Sequence, residues 1–165
     1  MKVLRNFLGA SLLVAAGVAS AATVSVTFVQ PEKFTDAGRS RGMATERELA
    51  DLKEEMQRHL QRLADGKLGP GDALQVEVLD IDLAGDFNSY RPARFADVRV
   101  VRDIASPRIT LRYTAKLGDR TVTGPEERLS DMNFLRSHNR YSSGDRLRDE
   151  KPLLDAWIEQ RFVKP

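Results

Sequence analysis

Two aspartates, Asp80 and Asp82, have a spacing that could support acid–base chemistry. Alternate residues of a β-strand project from the same face, with Cα atoms roughly 6.6 Å apart. Glycosidases use paired carboxylates about 5 to 9.5 Å apart, so a periplasmic hydrolase acting through this pair is one hypothesis. Every strand with an Asp-x-Asp element meets the same requirement. The preferred interpretation is that these aspartates pair with arginines of neighbouring strands.

The same acidic segment resembles part of a calcium-binding loop. When Asp80 is counted as the first position, Asp82 and Asp86 fall at alternate ligand positions. The pattern fails at the fifth and twelfth positions, where Ala84 and Arg91 replace an oxygen ligand and a bidentate glutamate. The sequence therefore predicts no calcium site here.

The residues that usually carry nucleophilic catalysis are scarce in this chain. It has no cysteine and only two histidines. His59 and His138 lie far apart in the sequence, which is weak evidence for a metal site, and no Gly-x-Ser-x-Gly motif accompanies His138. We therefore expect no metal and no cofactor, and we favour a protein that is not an enzyme.

Arginines and aromatic residues alternate in two predicted loops, residues 86–96 and 134–148. The candidate binding residues are Phe87, Tyr90, Arg91 and Arg94 in the first loop, and Arg136, Arg140 and Tyr141 in the second. Guanidinium groups bind carboxylate or phosphate through paired hydrogen bonds and stack on rings, so the loops could frame a site for an anion or a protein partner. In the alternative interpretation, the rings fasten the loops to the sheet and the arginines pair with nearby aspartates.

Hydrophobic periodicity predicts two helices. Thr45 and Glu48 form a capping-box pattern at the start of the first helix. Its apolar stripe comprises Leu49, Leu52, Met56, Leu60 and Leu63, and the stripe of the second helix comprises Leu153, Leu154, Trp157, Ile158 and Phe162.

Strands are predicted from alternating apolar residues at 23–29, 74–83, 98–101 and 109–117, followed by a hairpin turn into Val122. A change of phase near Val78 predicts a β-bulge. The fold expected is α+β, a twisted antiparallel sheet of about five strands with two helices packed on one face. The other face would then expose Arg108, Thr110, Arg112, Thr114 and Lys116.

The amino terminus has the features of a secretory signal peptide. Lys2 and Arg5 precede an apolar run at residues 7–18, and Ala19-Ser20-Ala21 supplies a cleavage site. The run is shorter than the roughly 20 residues that span a bilayer. We expect residues 1–21 to be removed, leaving residues 22–165 as one periplasmic or secreted domain with no stable membrane insertion.

The charge of the expected mature chain argues against nucleic-acid binding. The whole chain has 26 basic and 24 acidic residues, and residues 1–21 contain two bases and no acids. Removal of that segment leaves 26 − 2 = 24 bases against 24 acids, a net charge of zero. We therefore expect a partner in the envelope, either an unidentified protein or an anionic envelope component.

Stretches throughout the expected mature chain resemble a family of exported Gram-negative bacterial proteins known as domain of unknown function 3016. They are residues 24–36, 80–85, 107–113, 126–132 and 150–157. The resemblance implies export and a single domain, and it supplies no reaction, cofactor or catalytic residue. Together with the residues above, it suggests a non-catalytic binding or interaction domain of the cell envelope.

Overall fold

A mixed β-sheet and two long helices make up most of the regular structure. The computed structural model describes residues 21–87 and 97–162. In chain order the elements are β1 (Thr23–Phe28), a 3₁₀ turn (Pro31–Lys33), α1 (Glu46–Lys67), β2 (Ala73–Asp82), β3 (Asp86–Phe87), β4 (Arg99–Val100), β5 (Arg108–Leu117), β6 (Arg120–Thr123), β7 (Glu127–Ser130) and α2 (Lys151–Phe162). The predicted signal peptide lies almost entirely outside the described residues.

The main sheet has five strands, with β2 between β1 and β5. The other edge of β5 pairs with β7 along its first half and with β6 along its second half. This confirms an α+β fold with two helices and about five strands. The prediction of a purely antiparallel sheet is wrong, because β1 pairs with β2 in parallel. Helix α1 lies between these strands in the chain, and a helical crossover is the usual connection that brings two strands into parallel register.

The strand predicted at residues 98–101 does not join this sheet. Only Arg99 and Val100 are extended, and they pair with Phe87 and Asp86 in a separate two-stranded ladder. This small ladder lies next to the end of β2, where it contributes to the candidate site described below.

The local signals for α1 are confirmed. The Glu48 amide donates to Thr45 Oγ1 over 3.3 Å, and Glu48 Oε2 accepts from the Thr45 amide over 2.8 Å, which completes the capping box. Leu52, Met56 and Leu60 are fully buried on one side of the helix. The helix therefore begins and packs as its sequence predicts.

The hairpin and the bulge are also confirmed. Leu117 pairs with Arg120 around a two-residue turn, and Gly118 adopts a positive φ of 59°, which glycine tolerates without strain. The register between β2 and β5 shifts between Val78 and Asp80. The bulge allows Ile81 to return to the buried side after Val78.

The core joins alternate residues of the sheet to apolar residues of both helices. Val24, Val76 and Leu111 belong to the same hydrophobic cluster as Leu60 and Trp157. The intervening residues of β5 are exposed or half-buried, as predicted for Arg108, Thr110, Arg112, Thr114 and Lys116. Neither helix has the combination of length and apolar character needed to cross a bilayer, within residues 21–87 and 97–162.

Candidate functional site

A cavity of about 530 Å³ lies at the end of β2, next to β4 and the segment that precedes α2. Its wall contains four arginines, namely Arg39, Arg99, Arg146 and Arg148. It also contains the carboxyl groups of Asp145, Asp149 and Glu150. The volume falls within the range of small-molecule sites. We call this feature the arginine cavity.

Arg99 fixes the position of the cavity wall. Its guanidinium forms a two-pronged ion pair with Asp36, over 2.7 and 2.8 Å. It also donates to the carbonyls of Gly38 and Gly85, over 2.8 and 3.0 Å, and it lies 4.5 Å from the centre of the Phe87 ring. Because both of its Nη groups are already occupied, Arg99 joins three segments of the chain and acts as a structural support.

Arg148 is only partly satisfied. Its Nη1 donates to Asp149 Oδ1 over 2.8 Å, while its Nε is buried without a hydrogen-bond partner. Asn139 supports the pair from the other side, since its amide donates to the Arg148 carbonyl and to Asp149 Oδ1. An ion pair with an unused donor is therefore held rigidly at the cavity.

Arg146 and Arg39 are cations without a carboxylate partner among the described residues. Arg146 donates to two backbone carbonyls, those of Ala37 and Glu48, over 3.0 and 2.9 Å, and its Nε is buried and unpartnered. Burial lowers the pKa of Arg146, and the nearby charge of Arg39 lowers it further. The nearby charges of Glu48, Glu55 and Asp51 act in the opposite direction, but no carboxylate of the described residues forms an ion pair with either arginine.

Glu150 contributes a carboxyl group with unusual properties. Its side chain is almost completely buried, with 2% of the residue exposed, and its Oε1 accepts from the Ala84 amide over 2.8 Å. Burial raises the pKa of Glu150 to about 7, and the hydrogen bonds from backbone amides oppose that rise only in part. Near neutral pH, the charge of the cavity therefore depends on whether Glu150 is protonated.

Two of the predicted binding residues, Arg140 and Tyr141, lie in a separate polar cluster centred on Asp155. The Tyr141 hydroxyl donates to Asp155 Oδ2 over 2.6 Å, and Arg140 donates to the same oxygen over 2.8 Å. His59 Nε2 is hydrogen-bonded to Asp155 Oδ1 over 2.9 Å. Burial and the bond to Asp155 raise the pKa of Tyr141 to about 12, so its hydroxyl stays protonated and keeps donating. The cluster connects α1, the loop that precedes α2, and α2 itself.

The adjacent Lys151 is buried and fully paired. Its ammonium group donates to Glu55 Oε1 over 2.8 Å and to Asp145 Oδ2. Asp145 is consequently neutralised from outside the arginine cavity, although it lines the wall. Burial raises the pKa of Asp145, but the hydrogen bonds and charge of Lys151 help to lower it below its usual value.

The sequence model of a family described as "Protein of unknown function (DUF3016)" matches residues 22–160. The chain belongs to this family. The matched region contains all four arginines of the cavity, and the resemblance predicted from the sequence is confirmed. No curated protein and no solved structure matches the chain.

The other predicted binding residues are distributed differently. Phe87 packs against Arg99, outside the lining of the arginine cavity, and Arg136 is exposed beside Leu135, which does line it. Tyr90, Arg91 and Arg94 lie outside the described residues. Among the described residues of the two predicted loops, those that line the cavity all belong to the second loop.

Sequence reasoning did not select the arginines that line the cavity. Arg146 and Arg148 belong to the alternation of arginines and aromatic residues that marks the second predicted loop, although they are not among the candidate binding residues chosen from it. Arg39 and Arg99 have no local signal, because single arginines in polar segments are common on any protein surface. Only their meeting in space distinguishes them.

Asp80 and Asp82 both have hydrogen-bond partners. Asp80 accepts from the amide and the hydroxyl of Thr35, over 2.7 and 2.8 Å, and Asp82 accepts from Arg108 Nε over 2.8 Å. Neither carboxylate lines the arginine cavity. In the part of the chain that the structure describes, no three His, Asp or Glu residues are grouped so that they could hold a metal ion.

Proposed function

We propose that this protein is an exported, non-catalytic binding domain of the cell envelope, and that it binds an anionic envelope component in the arginine cavity. The observation that carries this proposal is the presence of both Arg39 and Arg146 in the cavity wall. Both line the same cavity, and neither has a carboxylate partner within residues 21–87 and 97–162. An anionic group is the ligand that would complete such a site.

The guanidinium groups of Arg146 and Arg148 are incompletely hydrogen-bonded. A buried polar group without a hydrogen bond costs about 1–3 kcal/mol, and Nε is in this state in both Arg146 and Arg148. Carboxylate and phosphate oxygens accept charge-assisted hydrogen bonds from guanidinium groups, which are stronger than hydrogen bonds between neutral groups. Because both Nε atoms are buried, an anion in the cavity would interact with the positive charge of these groups and not with Nε itself.

The chemistry of the wall favours binding over catalysis. Asp145 and Asp149 are already paired with Lys151 and Arg148, and the Glu150 carboxyl is almost completely buried and bonded to the Ala84 amide. Neither His59 nor His138 lines the cavity, so no imidazole is available there as a general base. The amino-terminal sequence supports export, which would place the ligand in the envelope.

Titration calorimetry with three probes, inorganic phosphate, pyrophosphate and citrate, tests this proposal. The variant of choice is Arg39→Ala, because the Arg39 backbone amide makes the contact with Glu48 and survives the substitution. Arg62→Ala is the matched control, since it removes the same charge from an exposed position on α1 outside the cavity. Loss of one charge-assisted contact should weaken binding about tenfold or more in Arg39→Ala.

Arg62→Ala should bind the probes as the wild-type protein does. Equal weakening in the two variants would show that the effect is general electrostatics and would reject the cavity as the site. Absence of binding of all three probes to the wild-type protein would reject the proposal itself.

A further inference from the structure

We infer that the ligand of the arginine cavity is an amphiphile with one acid headgroup, carboxylate or phosphate, and an aliphatic chain. This inference rests on the proposed function and specifies its ligand. The observation behind it is that Val101 and Leu135 line the same cavity as Arg39 and Arg146. These two residues are 42% and 48% exposed, so their apolar side chains are available to a ligand.

Single exposed apolar residues are normal on protein surfaces and need no explanation. The position of these two is what matters, because they occur in the wall of a cavity that also contains four arginines. Leu83 and Ala84, which are buried, extend the apolar part of that wall. A small hydrophilic anion would leave this apolar surface exposed to water, whereas an aliphatic chain would cover it.

Arg146 and Val101 are attached to different neighbours in the wall. Arg146 is bonded to the carbonyls of Ala37 and Glu48, which attaches it to the segment that carries Arg39. Val101 instead packs closely on Gly85, where an added Cβ would lie 2.9 Å from the Val101 Cα. The cavity therefore combines cations and aliphatic side chains in one wall, which suits a ligand with two chemically distinct ends.

The cavity also has an appropriate size. Its volume of about 530 Å³ is within the range that buries most of a small organic ligand. Arg39 and Arg146 would bind the acid group, and Val101 and Leu135 would contact the chain. Both acid headgroups share this chemistry, so the experiment below separates them.

The test measures the affinities of four probes by titration calorimetry, below the critical micelle concentration. Dodecanoate is compared with acetate, and dodecyl phosphate with methyl phosphate. Where a long-chain probe binds, we expect its affinity to be higher than that of its short-chain counterpart by about tenfold or more. The headgroup that gives the tighter long-chain complex identifies the acid.

Leu135→Ser tests the contact with the chain, and Met132→Ser is its control. Met132 is 79% exposed in the same loop and does not line the cavity. Leu135→Ser should weaken binding of the long-chain probe severalfold and leave the short-chain probe unchanged, whereas Met132→Ser should change neither affinity.

Two results would overturn the inference while the proposed function stands. The first is that long-chain and short-chain probes bind with equal affinity and that Arg39→Ala weakens the binding of both. The second is that the long-chain probe binds Leu135→Ser and Met132→Ser with the same affinity. If phosphate, pyrophosphate and citrate all fail to bind, the proposed function and the inference that rests on it both fail.

Discussion

Glu150→Gln is expected to remove a large pH dependence from the stability of this protein. The Glu150 carboxyl has a pKa of about 7 in the folded protein, and its ordinary value is 4.5. Below pH 4.5 it is protonated in both the folded and the unfolded state. Between these values the unfolded state loses its proton first, so the free energy of unfolding falls as the pH rises.

The magnitude follows from the two pKa values. A pH unit corresponds to about 1.4 kcal/mol, so the interval from 4.5 to about 7 is equivalent to about 3 kcal/mol. This loss should be complete slightly above pH 7. Since a typical domain is stable by about 5–15 kcal/mol, the effect is large enough to measure by equilibrium unfolding.

Glutamine keeps an oxygen that can accept from the Ala84 amide, but it cannot ionise. Its NH₂ group adds a buried donor, which can cost about 1–3 kcal/mol at every pH. The informative quantity is therefore the slope of stability against pH, and not the stability at a single pH. The slope between pH 4.5 and 8 should be less negative in Glu150→Gln than in the wild-type protein.

Urea unfolding monitored by fluorescence provides the assay, because the single tryptophan, Trp157, is buried in the core. Glu126→Gln serves as the control, since Glu126 is exposed. Its pH profile should be parallel to that of the wild-type protein. If the Glu150→Gln profile is parallel as well, the burial of Glu150 does not have the electrostatic consequence described here.

Three further substitutions have definite expected outcomes. Gly124→Ala should destabilise the fold by several kcal/mol in urea unfolding, because its Cβ would lie 2.0 Å from the Tyr113 ring, which packs on two other aromatic rings. Gly66→Ala should instead stabilise by about 0.5–1 kcal/mol, since nothing lies within 4 Å of the added Cβ in α1; a loss of stability would contradict this. Burial raises the pKa of Asp155, but hydrogen bonds that include the one from Tyr141 lower it below 3.8 overall. The stability that Asp155 contributes is present above pH 3.8 and is lost as the pH falls through the pKa of the folded protein. Asp155→Asn should therefore reduce the loss of stability at acidic pH. An unchanged loss at acidic pH would refute this role.

Much of the local structure could be predicted because its causes are local. The Thr45 capping box, the bulge after Val78 and the turn at Gly118 each depend on residues within a few positions of one another. The direction of β1 could not be predicted in the same way, since alternation gives the same pattern in parallel and antiparallel strands. Helix α1 connects β1 to β2. The packing of this helix on the sheet places the two strands side by side in parallel.

The sequence by itself determined the helices, most of the strands, the buried face and the presence of many arginines in polar segments. The tertiary structure alone decided which arginines meet and which of them pair with a carboxylate. Arg39 and Arg146 are separated by most of the chain, and Glu150 is buried against Ala84 in a distant strand end. Burial and pairing are properties of the surroundings in space, and for charged groups these surroundings set the pKa and the capacity to bind an anion.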